Sequence, residues 1–142
     1  MVNVTKLGYF VGEYKHNLTE KNRVSLPKRF RIEFEGNEVI LAKGEGGAIE
    51  VFDKAQWKEM VKVHLTIPHT EEQGRLIRRR VFSSAMLVEL DSQGRMVLSD
   101  HYLSWAGLKS KAGELIVIVG VGDHIEMWKE SGWLVKQKAE EL

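Results

Sequence analysis

Residues 38–57 read EVILAKGEGGAIEVFDKAQW, and residues 114–133 read ELIVIVGVGDHIEMWKESGW. Aligned without gaps, the two stretches are identical at seven of twenty positions, against roughly one or two expected for unrelated segments of ordinary composition. The identical pairs are Glu38/Glu114, Ile40/Ile116, Gly44/Gly120, Gly46/Gly122, Ile49/Ile125, Glu50/Glu126 and Trp57/Trp133. Self-similarity of this kind indicates that one structural unit occurs twice in the chain.

A second pair of phrases extends the repeat toward the N-terminus. LTEKNRVSLP at 18–27 corresponds to LDSQGRMVLS at 90–99, and each phrase places an arginine, Arg23 or Arg95, directly after a polar turn. We therefore expect three segments that form one compact domain. These are a first repeat at 7–65, a connecting helix at 66–80 and a second repeat at 81–140.

Both repeats show the same order of predicted elements: strand, turn, strand, short helix, strand, hairpin, strand and helix. The first strands are expected at Tyr9–Leu18 and Val81–Leu90. Short extended segments then follow Arg23 and Arg95. Continuous or alternating apolar runs predict the later strands at Val39–Ala42, Ile49–Phe52, Leu115–Val119 and Ile125–Trp128.

The helix ends are predicted from capping signals. Pro27 suits the first turn of a short helix, while Ser99 and Gly107 suit the start and end of its counterpart in the second repeat. The spacings Asp53-x-x-Gln56 and Thr70-x-x-Gln73 are typical of capping boxes and predict two longer helices.

The duplication has a physical reason, because one unit with four short strands cannot bury both faces of so small a sheet. Two units packed together can do so. The predicted fold class is α+β, with both halves forming one β-barrel that has a pseudo-twofold axis and peripheral helices.

Composition limits the possible functions. The 142 residues carry a formal net charge of +1, with 43% hydrophobic and 29% charged residues, as is typical of a soluble globular protein. The absence of cysteine excludes disulfides, thiolate catalysis and cysteine-ligated metal. The longest apolar run, Leu115–Val119, is too short to span a bilayer, and residues 1–15 lack a signal-peptide pattern, so a cytoplasmic protein without membrane contact is expected.

The stretch LIVIVGVGDHIEMW resembles a dinucleotide-binding glycine loop only superficially. Gly120 and Gly122 fill the first two positions of G-x-G-x-x-G, but Ile125 occupies the third. The motif also needs a helix after the glycines, whereas Ile125–Trp128 alternates like a strand. The pattern therefore favours a hairpin, and no cofactor is expected.

No catalytic or metal-binding constellation is evident either, and no enzymatic activity is predicted. His64 and His69 are the only close histidines, and their spacing matches no helical metal pair. Glu50 and Glu126 could face each other across the pseudo-twofold axis. Their recurrence is explained more simply by duplication, as outward-facing strand residues or partners of nearby basic groups.

The turns before the two arginines have a consistent chemistry. Asn22 and Gly94 precede the arginines and tolerate a left-handed backbone, so each arginine can leave a strand edge at a fixed angle. A rigidly held arginine can donate to O6 and N7 of guanine, while clustered cations contact phosphates. The first repeat supplies such a cluster: Lys21, Arg23, Lys28, Arg29 and Arg31. The alternative is that each arginine only braces its turn.

The two arginine phrases, the following short helices, the glycine hairpins and the tryptophan seven residues after a strand glutamate resemble the MraZ family over about residues 7–136. The resemblance implies two tandem AbrB-like swapped-hairpin units within one chain. It also implies a bacterial DNA-binding transcriptional regulator, typically a repressor upstream of its own division and cell-wall gene cluster. Members of the family assemble into rings and recognise short direct repeats in double-stranded promoter DNA, so a nucleoid-associated protein is expected.

By this resemblance, the DNA-binding arginines are Arg23 and Arg95, and Asp91 is the second-half aspartate of an Asp-x-x-x-Arg turn. Thr19 replaces the first-half aspartate, and Asn22 replaces the glycine before the arginine. Threonine can still bond the turn backbone, and asparagine still tolerates the turn geometry. The alternative function is a protein-interaction module of the antitoxin-like AbrB type that docks an acidic partner.

Overall fold

The computed structural model of the chain describes residues 5–109 and 113–142. The strands are β1 (Glu13–Asn17), β2 (Arg23–Ser25), β3 (Glu38–Lys43), β4 (Ile49–Asp53), β5 (Met86–Glu89), β6 (Arg95–Val97), β7 (Leu115–Gly120) and β8 (Ile125–Lys129). The helices are α1 (Lys28–Arg31), α2 (Lys54–His64), α3 (Glu72–Phe82), α4 (Asp100–Ala106) and α5 (Glu130–Glu140). These elements confirm the α+β class.

The strands form two antiparallel sheets. Six strands follow the order β1-β7-β8-β4-β3-β5, and β2 pairs with β6 in a separate two-stranded ribbon. The predicted closed barrel is not found among the described residues. The reason is that β2 and β6 are three residues each and pair only with one another, which leaves β1 and β5 as open edges of the larger sheet.

The pairing of the strands relates the two repeats by a pseudo-twofold axis. At the centre of the larger sheet, β4 of the first repeat pairs with β8 of the second, and Glu50 lies opposite Glu126. The outer strands are exchanged, since β1 pairs with β7 and β5 pairs with β3. Each repeat thus contributes strands that complete the sheet of the other.

The alternation of side chains divides the six-stranded sheet into two faces. One face shares the main core with the buried side of the β2·β6 ribbon, where Val24 and Met96 pack with Ile49 and Ile118. The opposite face contacts α2 and α5 and carries a smaller cluster with Trp128 and Trp133. Short amphipathic strands therefore form a layered core although each repeat is small.

The first strand of each repeat is shorter than predicted. β1 begins at Glu13, because Gly12 adopts φ +98°, a turn conformation that ends the extended backbone. β5 begins at Met86, because Val81 and Phe82 continue α3. There Phe82 packs edge-on against Trp57 of α2, with ring centroids 5.5 Å apart, so tertiary packing extends the helix.

The helix caps follow the predictions in part. Ser99 accepts a hydrogen bond from the Tyr102 N–H, and Gly107 ends α4 with φ +71°. Asp53 accepts from the Ala55 N–H at 3.2 Å and caps α2. The capping box is incomplete, however, because the Gln56 amide donates to Asp123 at 3.4 Å instead of bonding back to Asp53.

The predicted Thr70–Gln73 capping box was wrong. α3 begins at Glu72, and Glu71 occupies the N-cap position without a side-chain capping bond. Arg75 explains the displacement of Thr70, since its Nη1 donates to the Thr70 carbonyl at 3.1 Å and to the His69 carbonyl at 3.1 Å. The loop before α3 is thus held by backbone acceptors rather than by a threonine cap.

The hairpin interpretation of the glycine stretch is confirmed. β7 and β8 are adjacent antiparallel strands, and Gly120 pairs with Ile125. The chain near Phe10 crosses this hairpin, because the Phe10 N–H donates to the Gly122 carbonyl at 2.8 Å and the Gly122 N–H donates to the Phe10 carbonyl at 3.0 Å. A strand follows the glycines, so no helix N-terminus is available for a pyrophosphate.

We expect Tyr102→Phe to destabilise the fold by about 1–2 kcal/mol, because the buried Tyr102 hydroxyl lies 3.0 Å from the Leu41 carbonyl and 2.5 Å from the Ser84 carbonyl. Burial raises the pKa of Tyr102 from 10.0 to about 12. The folded state therefore disfavours the phenolate, and the tyrosine should lower stability as pH rises from 10 toward 12. The free energy of unfolding, measured in urea, should fall more steeply at alkaline pH for wild type than for Tyr102→Phe. Equal free energies of unfolding at pH 7 would contradict the hydrogen-bond assignment.

None of the helices within residues 5–109 and 113–142 is long and apolar enough to cross a membrane.

Candidate nucleic-acid interface

Arg23 and Arg95 lie on the same face of the β2·β6 ribbon. Val24 lies opposite Met96 and both are buried, so the alternate residues project to the other side. On that outer side Arg23 lies opposite Val97, and Arg95 lies opposite Ser25. The two arginines are therefore diagonal neighbours, a relation that places Cα atoms about 7–8 Å apart in antiparallel pairs.

The turn before β6 is held by Asp91. Its Oδ1 accepts from the N–H groups of Gln93 and Arg95, both at 2.9 Å, and its Oδ2 accepts from Nε of Arg95 at 2.8 Å. The Arg95 backbone N–H, followed by the Arg95 guanidinium, lowers the pKa of Asp91 below its ordinary value. Within the described part of the chain, Asp91 engages Nε of this guanidinium and not its Nη groups.

The turn before β2 has a similar backbone hydrogen bond, but the neutral side chain of Thr19 takes the place of the Asp91 carboxylate. The Thr19 N–H donates to the Arg23 carbonyl at 2.8 Å, and the Thr19 hydroxyl donates to the same oxygen at 3.0 Å. Lys21 and Asn22 have φ values of +62° and +59°, so the turn uses left-handed residues before the arginine. Thr19 thus secures the backbone of Arg23, whereas Asp91 secures both the backbone and the side chain of Arg95.

The two turns are joined to one another through the ribbon. The Leu26 N–H donates to the Gly94 carbonyl at 3.0 Å, and the Leu98 N–H donates to the Asn22 carbonyl at 2.9 Å. Gly94 has φ +73°, and a Cβ built there would lie 2.1 Å from Cδ of Arg31. Arg31 therefore packs against the second turn, and its Nε is buried without a hydrogen-bond partner among the described residues.

The remaining predicted cations are placed differently from one another. Lys21 is exposed in the first turn, and Lys28 is exposed at the start of α1. Arg29 turns toward the N-terminal segment, where its Nη1 donates to the Thr5 carbonyl at 3.0 Å and its Nη2 lies 3.9 Å from Glu33. The structure thus gathers Arg23, Arg95, Lys21 and Arg31 around the ribbon, with Lys28 on the adjoining helix, and directs Arg29 away into an internal contact.

A second cluster of polar side chains joins His124 to the Glu50 and Glu126 pair, and the sequence analysis did not predict the part played by His124. Glu50, His124 and Glu126 each offer a ligand atom, and these atoms lie within 4.8 Å of one another. Burial opposes the protonated imidazole, but the carboxylates of Glu50 and Asp123 outweigh that cost and raise the pKa of His124. This cluster is hard to predict from the sequence, because Glu50 is far along the chain from His124 and Glu126. The shared Glu50/Glu126 identity was its only signal, because it implied that the two carboxylates meet at the pseudo-twofold axis.

Comparisons with known proteins agree with this architecture. The MraZ family, described as "MraZ protein, putative antitoxin-like", matches the chain twice, over residues 9–80 and 81–141. A protein named transcriptional regulator MraZ from Carboxydothermus hydrogenoformans is 36% identical over 124 residues, covering 87% of this chain and 83% of that protein. Proteins of the same name from Clostridium acetobutylicum and Alkaliphilus metalliredigens are 34% and 35% identical, covering 88% and 87% of this chain and 84% and 83% of their own lengths.

The doubled match divides the chain between residues 80 and 81, in the last turn of α3 and shortly before β5 begins at Met86. The match covers both arginine turns, both glycine hairpins and the exchanged strands. On this evidence the chain belongs to the MraZ family.

Proposed function

We propose that this protein is a sequence-specific DNA-binding transcriptional regulator, acting in the cytoplasm on nucleoid DNA, that reads double-stranded DNA with the β2·β6 ribbon. The relatives named transcriptional regulator MraZ support the general activity. The observation that carries the proposal is the diagonal placement of Arg23 and Arg95 on the outer face of this ribbon. No catalytic role is assigned to any residue.

The β2·β6 element is two-stranded, and the major groove admits a two-stranded β-ribbon. Each arginine can donate two N–H groups to O6 and N7 of a guanine, and bonding of Asp91 to Nε leaves the Nη end of Arg95 for this contact. Val97 is 52% exposed and lies opposite Arg23, so an apolar side chain is available for a thymine methyl group. The ribbon therefore offers two guanine readers and one apolar contact on a single face.

Phosphate contacts would come from the cations around the ribbon. Lys21 and Lys28 are exposed, and both lie in the segments that flank β2. The formal net charge of +1 gives little attraction for DNA over the whole molecule, so affinity depends on this local concentration of cations. Arg31 supports the second turn, whereas Arg29 is engaged with the Thr5 carbonyl and Glu33 and would contact a phosphate only by leaving those partners.

Because the low net charge of one chain gives little attraction for DNA, assembly of several chains would help the protein to bind its operator. We infer that several copies form a ring-shaped homo-oligomer, which binds short direct repeats and represses its own promoter in a division and cell-wall gene cluster. Copies in a ring contact each other head-to-tail, as direct repeats require, and joint binding can raise affinity by ~10²–10⁴. Sedimentation at micromolar concentration should show a closed oligomer larger than a dimer, and a monodisperse monomer would remove the avidity argument.

Asp91→Ala should lower operator affinity, because Arg95 loses the carboxylate that positions its guanidinium. The electrostatic effect alone has the opposite sign, since removing a negative charge strengthens attraction for DNA. The measurement is operator and non-operator affinity at two salt concentrations. Asp100→Ala is the matched control, because it removes the same charge from the start of α4 and leaves the Arg95 brace intact. Tighter operator binding by Asp91→Ala would show that Arg95 does not read bases.

A second candidate function is an antitoxin-like protein-interaction module. The family description names antitoxin-like proteins, and the edge strand β5 exposes Met86 and Leu87 at 38% and 55%. An exposed edge strand can pair with a strand of another protein. This function predicts affinity for a protein partner with little affinity for duplex DNA, whereas DNA binding predicts steep salt dependence.

A further inference from the structure

Two glutamates face each other where the repeats meet. Glu50 of β4 and Glu126 of β8 occupy directly opposed positions, and the neighbouring pairs place Ile49 opposite Met127 and Val51 opposite Ile125. Like charges directly opposite each other destabilise an antiparallel sheet. A cation between these carboxylates would remove the repulsion.

His124 completes the arrangement from the β7–β8 hairpin. Its Nε2 lies 3.5 Å from Oε2 of Glu50, and this nitrogen is buried without a hydrogen-bond partner within the described residues. Its Nδ1 lies 2.7 Å from Oδ1 of Asp123. The ring also stacks on Phe52, with centroids 4.4 Å apart and planes inclined by 18°. The imidazole is thus fixed with Nε2 directed at the two glutamates.

This pattern has the chemistry of a metal ligand with its outer support. A metal-binding histidine usually donates its second ring N–H to a carboxylate, and Asp123 stands in that position. Glu126 is oriented as well, because its Oε1 accepts from the Trp128 Nε1–H at 3.0 Å. One imidazole nitrogen and two carboxylate oxygens suit divalent transition metals such as Zn²⁺ better than Ca²⁺ or Mg²⁺, which prefer sites made of oxygen alone.

We propose that Glu50, His124 and Glu126 bind one divalent transition-metal ion of the Zn²⁺ class at the pseudo-twofold axis. Water would fill the remaining coordination position. Asp123 is a positioning residue, since it acts on the ion only through His124. Because β4 and β8 belong to different repeats, the ion would cross-link the two halves of the domain and stabilise the folded state by binding to it alone.

The repeats do not contribute equally to this site. His124 corresponds to Ala48 in the first repeat, so the duplication provides both glutamates but only one histidine. A second glutamate pair offers an internal comparison. Glu38 of β3 lies opposite Glu89 of β5, but Lys54 contacts Glu38 at 3.2 Å and no histidine joins that pair among the described residues. Lys54 supplies positive charge to the Glu38 and Glu89 pair, whereas the group next to the Glu50 and Glu126 pair is His124, a side chain that can bind a metal.

The test is calorimetric titration of the full-length, untagged and chelator-treated protein with Zn²⁺, supported by the visible spectrum of the Co²⁺ complex. Wild type should bind one ion per chain, and Glu50→Gln and Glu126→Gln should each abolish that site. Asp123→Asn should weaken it by ~10–100-fold through a misoriented His124. Glu38→Gln, which changes the other glutamate pair, and His101→Ala, which removes a histidine elsewhere, should bind like wild type.

Thermal unfolding provides an independent readout. Zn²⁺ should raise the melting temperature of wild type and of both control variants, and it should leave Glu50→Gln and Glu126→Gln unchanged. Absence of binding at about 100 µM Zn²⁺, on the order of a hundredfold above the Kd of a useful site, would overturn the proposal. Binding that survives in both glutamine variants would overturn it equally, because the ion would then lie on other residues.

Discussion

Arg23→Ala and Arg95→Ala should each abolish the preference of the protein for its operator over unrelated duplex DNA. Loss of a bidentate guanine contact costs ~1–3 kcal/mol per base, and copies in a ring lose it at every engaged repeat. The loss of affinity for non-specific DNA should be smaller, because each variant removes only one of several cations that can contact phosphates. The test is the ratio of the affinity for the operator to the affinity for a scrambled duplex, measured at two salt concentrations.

Two further variants make this prediction specific. Lys28→Ala removes an exposed cation beside the ribbon and should weaken all duplexes about equally while flattening the salt dependence. Arg79→Ala removes an exposed arginine from α3, which packs on α2, and should leave the operator preference unchanged. If Arg23→Ala and Arg95→Ala fold, assemble and discriminate like wild type, the arginines only brace their turns and the interaction-module function is favoured.

Gly120→Ala should destabilise the fold by about 3 kcal/mol, the upper end of what overpacking usually costs. A Cβ at this position would lie 2.4 Å from the carbonyl carbon of Phe10, so the backbone of the crossing segment would have to move. That movement would break the paired Phe10–Gly122 hydrogen bonds and displace Phe10, whose ring packs on Phe34 at 4.9 Å. The shift of the urea midpoint reports the loss.

Gly44→Ala is the matched control, because Gly44 is the equivalent glycine of the first repeat. Its Cβ would meet the Ala48 side chain and Cγ of Glu50 at 3.0 Å and the Ala48 carbonyl at 3.3 Å, so these nearest neighbours lie farther away than the Phe10 backbone lies from a Cβ at position 120. Neither glycine has a positive φ, so the comparison isolates the close approach from backbone strain. Equal destabilisation by both substitutions would contradict the assigned contact with Phe10.

Much of the fold was predictable from the sequence, because the two repeats have the same pattern and confirm each other's strands. Identical residues such as Glu50 and Glu126 meet at the pseudo-twofold axis, and the alternating runs that contain them form the central strands β4 and β8. The errors arose where tertiary contacts override local pattern. Phe82 has strand propensity but extends α3 to reach Trp57. Closure of a barrel depends on which strand edges meet, and periodicity within a strand does not encode that.

The candidate interface was predictable for a related reason. An arginine after a turn that needs left-handed residues is a local pattern, and Asn22 and Gly94 both adopt positive φ. The side-chain contacts were less accessible. Arg29 and Arg31 belong to the same cationic run, yet one contacts Thr5 and the other packs on Gly94, because α1 directs them to opposite sides. His124 joins Glu50 only through the pairing of the two repeats.

The central claim is that the β2·β6 ribbon reads DNA sequence, and selection from a random duplex library at defined salt tests it most directly. Wild-type protein should enrich short repeated sites that contain guanine, with affinity that falls steeply as salt rises. The Arg23→Ala, Arg95→Ala double variant, shown to fold and assemble, should enrich no sequence. Failure of wild type to enrich any sequence, or enrichment of the same site by the double variant, would contradict the account.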